Sequence, residues 1–358
     1  MRRAWIALVL VLVGASVLTA SLNPFGSDEV PDLVRRAATA NRRVSYAGRA
    51  FWKGRWWRRS VSIRHDSSSG MTAYRHNGYE FVLPRPSSRM SDPSAWCLDL
   101  DAVLQNYRSR ETGTSVMLGR TTRTLLLEPL HPGRPTVTLH VDELTGLPLK
   151  TVTRRYDGTL YRLCAFKTFE FGPQHVERKP SRRHDHRRWY GTSVPPHKLA
   201  ETIDFDLYLP DYLPAGFRLT DTRVLNWMGP WVRLTYSDGI TTFELTEQLL
   251  LTPAQLLDEA TGRMGEKKAE RMVRRIQERR VDLLLRSDGA GKRRPIARRR
   301  RSKTHDSYSL RLGRVEIKVS ARRDLDPKEI LRVLRSLSEI EARKSRSVHY
   351  LRESLRRG

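Results

Sequence analysis

Glycine-bearing turn pairs punctuate this chain at short intervals, and they leave room between them for little except antiparallel strands. Lys53-Gly54, Asn77-Gly78, Pro132-Gly133, Thr145-Gly146, Asp157-Gly158 and the triplet Ser237-Asp238-Gly239 all fall between stretches of β character. Asn77-Gly78 is the strongest of them, because both central residues of a type I′ turn need positive φ. Period-two alternation flanks the turns. In Val44–Trp52 the face Val44, Tyr46, Ala50 and Trp52 opposes Ser45, Arg49 and Lys53, and Trp57, Val61 and Ile63 share one face of the returning strand. With Met71–His76 and Tyr79–Leu83, residues 44–83 read as a meander of four strands.

A short amphipathic helix precedes the meander, with Val30, Leu33, Val34 and Ala37 at helical spacing. A second helix is expected after it, capped by Asp92 or Ser94 and carrying Trp96, Leu100, Val103, Leu104 and Tyr107. Strands resume over Ser115–Thr121, Arg123–Glu128, Thr136–Asp142, Leu147–Tyr156 and Thr159–Phe171. Long strands with helices on one face make an α+β unit, an unclosed antiparallel half-barrel. Residues 27–174 form this first domain. The basic, non-periodic run at 177–188 marks a linker spanning 175–200. A smaller antiparallel α+β domain follows at 201–342: strands Phe217–Leu225, Trp231–Tyr236 and Thr241–Glu247, a helix opened by Thr252-Pro253, strands Ser307–Arg311 and Arg314–Ala321, and a last helix capped by Asp326. It is interrupted by a basic insertion near 255–305, in which Lys267–Leu284 suits a helix and Gly289–Lys303 a loop. A basic tail occupies 343–358.

Charge narrows the partners. With 66 Lys and Arg against 39 Asp and Glu, the net charge is +27, which calls for anionic surroundings: nucleic acid, a lipid surface or an acidic protein segment. The N-terminus decides against nucleic acid. Arg2 and Arg3 precede an uncharged run from Ala4 to Gly26, and Asp28 and Glu29 follow, the order of an export signal. Residues 1–26 are read as a signal peptide or an anchor, since the run from 4 to 22 approaches the ~20 residues of a bilayer span. The body is expected outside the cytoplasm, periplasmic, either free or tethered to the inner membrane by residues 4–22.

The residues offer no catalytic constellation, no metal site and no cofactor motif. His184, Asp185 and His186 sit in the Arg-crowded linker without downstream ligands. Asp99 and Asp101 do not face each other on a helix, and Ser237 lacks a nucleophile-elbow context. Cys97 and Cys164 permit one disulfide in an exported protein, and two buried free thiols fit equally well. The aromatic side chains Tyr46, Trp52, Trp57, Tyr74 and Phe81 suit either a lipid-binding concave face or ordinary core. Within 263–301 stand 16 Lys or Arg against five Asp or Glu. There Arg293, Arg294, Arg298 and Arg299 are candidates to meet anionic headgroups or an acidic partner.

Several stretches, in order, carry a resemblance: VSYAGRAFW at 44–52, LGRTTRTLLLEP at 118–129, LHVDELTGLPL at 139–149, DGTLYRLCAFKTFEF at 157–171, YLPAGFRL at 212–219 and LTYSDGITTF at 234–243. Together they resemble the MucB/RseB family, periplasmic regulators of sigma-E-type envelope stress signalling. The resemblance implies a first domain built like the outer-membrane lipoprotein carriers, a smaller second domain and no enzymatic activity. It implies as partner the periplasmic part of a membrane-spanning anti-sigma factor, shielded from regulated proteolysis until a lipid or lipopolysaccharide signal releases it. The other reading is a periplasmic carrier of lipid or lipoprotein, for which a half-barrel alone would suffice. The basic insertion and the high charge depart from the family pattern.

Overall fold

The structure is a computed structural model, described here for residues 29–54, 58–86, 92–176, 191–205, 207–226, 229–274, 298–301, 305–312 and 314–339. Helix α1 (Glu29–Thr39) leads through a 3-10 turn (Ala40–Arg42) into β1 (Tyr46–Gly54), β2 (Arg58–His65), β3 (Thr72–His76) and β4 (Tyr79–Leu83). Helix α2 (Leu100–Asn106) then precedes β5 (Tyr107–Met117), β6 (Arg120–Pro129), β7 (Thr136–Asp142), β8 (Pro148–Arg154) and β9 (Leu160–Phe171). These nine strands form one antiparallel sheet in the order β4-β3-β2-β1-β9-β8-β7-β6-β5, with β4 and β5 as open edges. β1 pairs with β9, while β4 and β5, consecutive in the chain, stand at opposite edges, so the sheet does not close on itself.

The helices cover its concave face. Val30, Leu33, Val34 and Ala37 of α1 pack with Trp96 and Val103 onto Leu125, Leu127, Val137, Leu139 and Val141. A second cluster fills the other half with Tyr46, Ala50, Val61, Ile63, Tyr74, Leu147, Leu149 and Phe166. The D-x-x-TG stretch at 142–146 is a lock on one hairpin. Asp142 accepts from Arg120 Nε at 2.6 Å and Nη2 at 3.2 Å, and from Thr145 N at 2.9 Å and Oγ1 at 2.6 Å. Gly146, at φ +76°, completes that turn against Arg36 of α1.

The second domain comprises β10 (Thr192–Ser193), α3 (Pro196–Thr202), β11 (Arg218–Asn226), β12 (Pro230–Ser237), β13 (Thr242–Leu249), α4 (Pro253–Met264), β14 (Arg298–Arg301), β15 (His305–Leu312), β16 (Val315–Arg322) and α5 (Pro327–Glu339). Its sheet runs β10-β11-β12-β13-β16-β15-β14. Ile330, Val333, Leu334 and Leu337 of α5 close the core over Leu234, Phe243, Leu245, Ile317 and Val319. Thr252 caps α4 in a reciprocal capping box with Gln255, as the Thr-Pro signal predicts.

Four expectations differ. The end of the stretch expected as linker, residues 192–200, belongs to the second domain: β10 pairs with β11, and Leu199 of α3 is buried in its core. The helix expected from Asp92 to Tyr107 is only Leu100–Asn106, capped by Asp99, whose carboxylate accepts from Ala102 N at 3.2 Å. Asp92 and Ser94 are buried in side-chain hydrogen bonds instead, and Tyr107 already opens β5. The strand expected at Ser115–Thr121 is in fact two, since Leu118-Gly119 turns the chain between β5 and β6 with both residues at positive φ. Within the expected loop 289–303, Arg298–Arg301 pairs with β15 as a strand.

Candidate functional site

The two domains meet at a built joint, and its centre is the turn Ser237-Asp238-Gly239. Asp238 is 1% exposed. Its Oδ1 accepts from Ile240 N at 3.0 Å and Thr241 N at 2.8 Å, an Asx-type turn that holds the loop rigid. Its Oδ2 faces the first domain, accepting from Tyr107 Oη at 3.1 Å and lying 3.3 Å from Arg134 Nε. Burial pushes the Asp238 carboxyl up, and the neighbouring Arg134 guanidinium opposes that push. Arg134 leaves the β6–β7 turn, donates from Nη2 to Ala215 O at 2.5 Å and stacks 4.3 Å over the Phe217 ring. A planar guanidinium suits this place, since it can serve a carboxylate, a carbonyl and an aromatic face at once.

Around this centre the fit leaves no slack. Asn106 Nδ2 donates to Gly216 O at 3.1 Å and Asp238 O at 3.2 Å, and Leu98 N donates to Gly239 O at 2.9 Å. A Cβ on Gly239 would stand 2.6 Å from Val103 N and 2.7 Å from Asp99 O. Ile240 of the second domain belongs to the first domain's core cluster. Arg218 bonds Asp99, and Asp326 N donates to Gly133 O at 2.9 Å. The LPAGF and YSDG stretches, which read as local turns in the sequence, are thus the surfaces by which one domain seats on the other. Nothing local in the sequence singles out Arg134; its Pro-Gly-Arg context reads only as a turn.

The aromatic candidates divide. Tyr46 and Tyr74 are fully buried, and their hydroxyls donate to Asp92 Oδ2 at 3.0 and 3.1 Å. Ser94 Oγ adds a bond to Asp92 Oδ1 at 2.8 Å. Burial raises the Asp92 carboxyl, the hydroxyl donors opposing it. Trp52 is half-buried on β1 opposite Cys164 of β9, and Phe81 on the edge strand β4 is 38% exposed. Trp57 lies outside the described residues. Of the set, Trp52 and Phe81 keep ring surface open, while Tyr46 and Tyr74 belong to the closed core.

Cys97, half-buried, and Cys164, buried, carry free thiols in the structure. Both behave as small apolar groups: burial pushes the Cys97 thiol up to about 12 and raises that of Cys164 as well. Arg298 and Arg299 sit on the edge strand β14, in register with Ser309 and Tyr308. Arg293, Arg294, His184, Asp185 and His186 lie outside the described residues. Among the described residues no group of His, Cys, Asp and Glu is placed to hold a metal ion, and no helix is long and apolar enough to cross a membrane.

Residues 32–185 match the model of the MucB/RseB N-terminal domain. No curated protein matches the chain. Among solved structures, the MucA/MucB complex of Pseudomonas aeruginosa is 19% identical with a TM-score of 0.54, covering 85% of this chain and 96% of that one. A structure of MucB in complex with MucA(peri) is 18% identical with a TM-score of 0.53, at the same coverage of both chains. MucB alone is 18% identical, covers 87% of this chain and 98% of that one, and has a TM-score of 0.51. The likeness extends over both domains and concerns the fold.

Proposed function

Through residues 32–185 the chain belongs to the MucB/RseB family, and from that premise we propose that it is a non-enzymatic regulator on the extracytoplasmic side of the membrane. It binds the extracytoplasmic segment of a membrane-spanning anti-sigma factor, shields it from regulated proteolysis and so restrains an envelope-stress sigma factor. The observation that carries this reading is the joint. A second domain is seated through Asp238, Arg134 and Asn106 on the half-barrel, giving a two-domain binding body where a carrier would need the half-barrel alone. The likeness over both domains to MucB, which has been captured with MucA, supports the same choice.

Lipid sensing by the first domain is part of the proposal, with Trp52 and Phe81 as its open aromatic surface. Trp52→Asp or Phe81→Asp is expected to abolish lipid binding while circular dichroism shows the fold retained. Unchanged lipid affinity in a folded variant would remove this face from the account. The regulator reading is tested by mixing the full chain with the anti-sigma factor's purified extracytoplasmic segment and its site-specific protease. Stoichiometric binding and slowed cleavage are expected, and cleavage at an unaltered rate would refute the shielding role.

A further inference from the structure

On the convex face of the first sheet, one ladder row runs across five strands: Thr168, Arg49, Ser62, Arg75 and Glu80. Directly paired residues project to the same side of a sheet, so Arg49 and Arg75 flank Ser62 on neighbouring strands. At roughly 4.8 Å per strand their backbones stand about 10 Å apart, and the short serine leaves the floor between them open. The next row adds Ser60, with Arg59, His76 and Asn77 at the rim, around a groove of about 770 Å³. That lies within the roughly 300–1,000 Å³ of small-molecule sites. Val61 is the one apolar residue among those lining it.

Among the described residues the charge of Arg49 and Arg75 is not consumed internally. Glu80, the carboxylate across from Arg75, pairs with Arg64 at 3.3 Å. Among the described residues no carboxylate pairs with the Arg49 or Arg75 guanidinium. Each guanidinium offers five N–H donors in a fixed fork. One carboxylate would satisfy one such fork, whereas a phosphomonoester brings nearly two charges and three acceptor oxygens. The groove exceeds a bare phosphate in volume and is lined by hydroxyl and amide groups, which suits a polar body attached to it.

We propose that this groove is a binding site for a phosphomonoester carried on a polar body, held between Arg49 and Arg75 over Ser62. The site lies on the opposite side of the sheet from the helices and is independent of the anti-sigma partner. A sugar phosphate and a lipid headgroup share this chemistry, and separate probes distinguish them.

The full chain is titrated at fixed moderate salt with glucose 1-phosphate, and separately with phosphatidylcholine vesicles containing phosphatidic acid. The pair Arg49→Ser and Arg75→Ser is compared with a charge-matched pair at exposed positions elsewhere, Arg108→Ser and Lys268→Ser. At least a tenfold loss of affinity is expected from the first pair and less than twofold from the second. Dependence on Arg49 and Arg75 with the soluble probe assigns a sugar phosphate, and with vesicles only, a headgroup. Equal losses from the two pairs, or no loss from the first, would overturn the site in favour of unspecific attraction by net charge. Arg49→Lys with Arg75→Lys keeps the charge and removes the forks; most of the affinity should go with them, and full retention would overturn the site.

Discussion

Glu247 sits in the second domain's core at 0% exposure, with Oε2 accepting from Tyr208 N at 2.9 Å and Oε1 without a hydrogen-bond partner among the described residues. Burial pushes its carboxyl from 4.5 up to about 8. The folded chain therefore holds a proton that the unfolded chain releases above pH 4.5. From this group alone, stability is highest below that value, falls as pH rises toward 8 and is level beyond. The loss is on the order of a few kcal/mol. Glu247→Gln should flatten the decline, so that urea unfolding at pH 8 shows the variant gaining on the parent, with little difference at pH 4.5; a parallel decline in both would exclude Glu247 as its source. Leu118 is strained in a different way. It adopts φ +55° in the β5–β6 turn while 41% exposed, a conformation that β-carbon sterics disfavour by ~1–2 kcal/mol. Leu118→Asn would create an Asn-Gly turn suited to it. The variant should unfold at higher temperature, by about 1 kcal/mol in stability, and an unchanged or lower midpoint would show that the leucine is held there by contacts of its own.

At the scale of elements, the turn Ser237-Asp238-Gly239 does two things at once. It closes the β12–β13 hairpin and plugs the surface formed by α2 and the β6–β7 turn. Gly239→Ala places a methyl group against Val103 N and Asp99 O at a φ of +101°, so relief requires the turn to withdraw. Loss of fixed domain orientation is expected with both sheets intact: a larger radius of gyration in solution scattering and unchanged far-ultraviolet dichroism. An unaltered scattering profile would show that the joint tolerates the methyl. The hairpin half of this element is legible in the sequence, because Asp-Gly with alternating flanks is a local code. The plug half is not, since no local pattern says which distant turn will meet it. Arg134 illustrates the same limit, being one arginine among many until the fold sets it between Ala215, Phe217 and Asp238. Asp92 and Ser94 misled in the opposite sense. Their capping chemistry reads as a helix start, but buried Tyr46 and Tyr74 hydroxyls supply the donors that a helix terminus would offer. Likewise, composition predicts a loop at 289–303, while pairing with β15 draws Arg298–Arg301 into the sheet.

As a whole molecule, the chain joins a helix-covered half-barrel to a smaller sheet through a buried ion pair, Arg134 with Asp238. Truncating one partner of such a pair typically costs ~3–5 kcal/mol, because the other charge is left unpaired. The joint thus fixes domain orientation more than it adds net stability. The meander, the two-domain order and the family resemblance follow from turn pairs and alternation that a linear reading can see. The joint and the convex groove require the fold. On the proposed reading, this two-domain body grips an anti-sigma factor. The most direct test is capture from native membranes with the full chain at moderate salt, identified by mass spectrometry. Recovery of a single-spanning anti-sigma protein, released on adding lipid, is the expected result. Recovery of lipids or lipoproteins without such a protein would contradict the account and assign the chain to carriage.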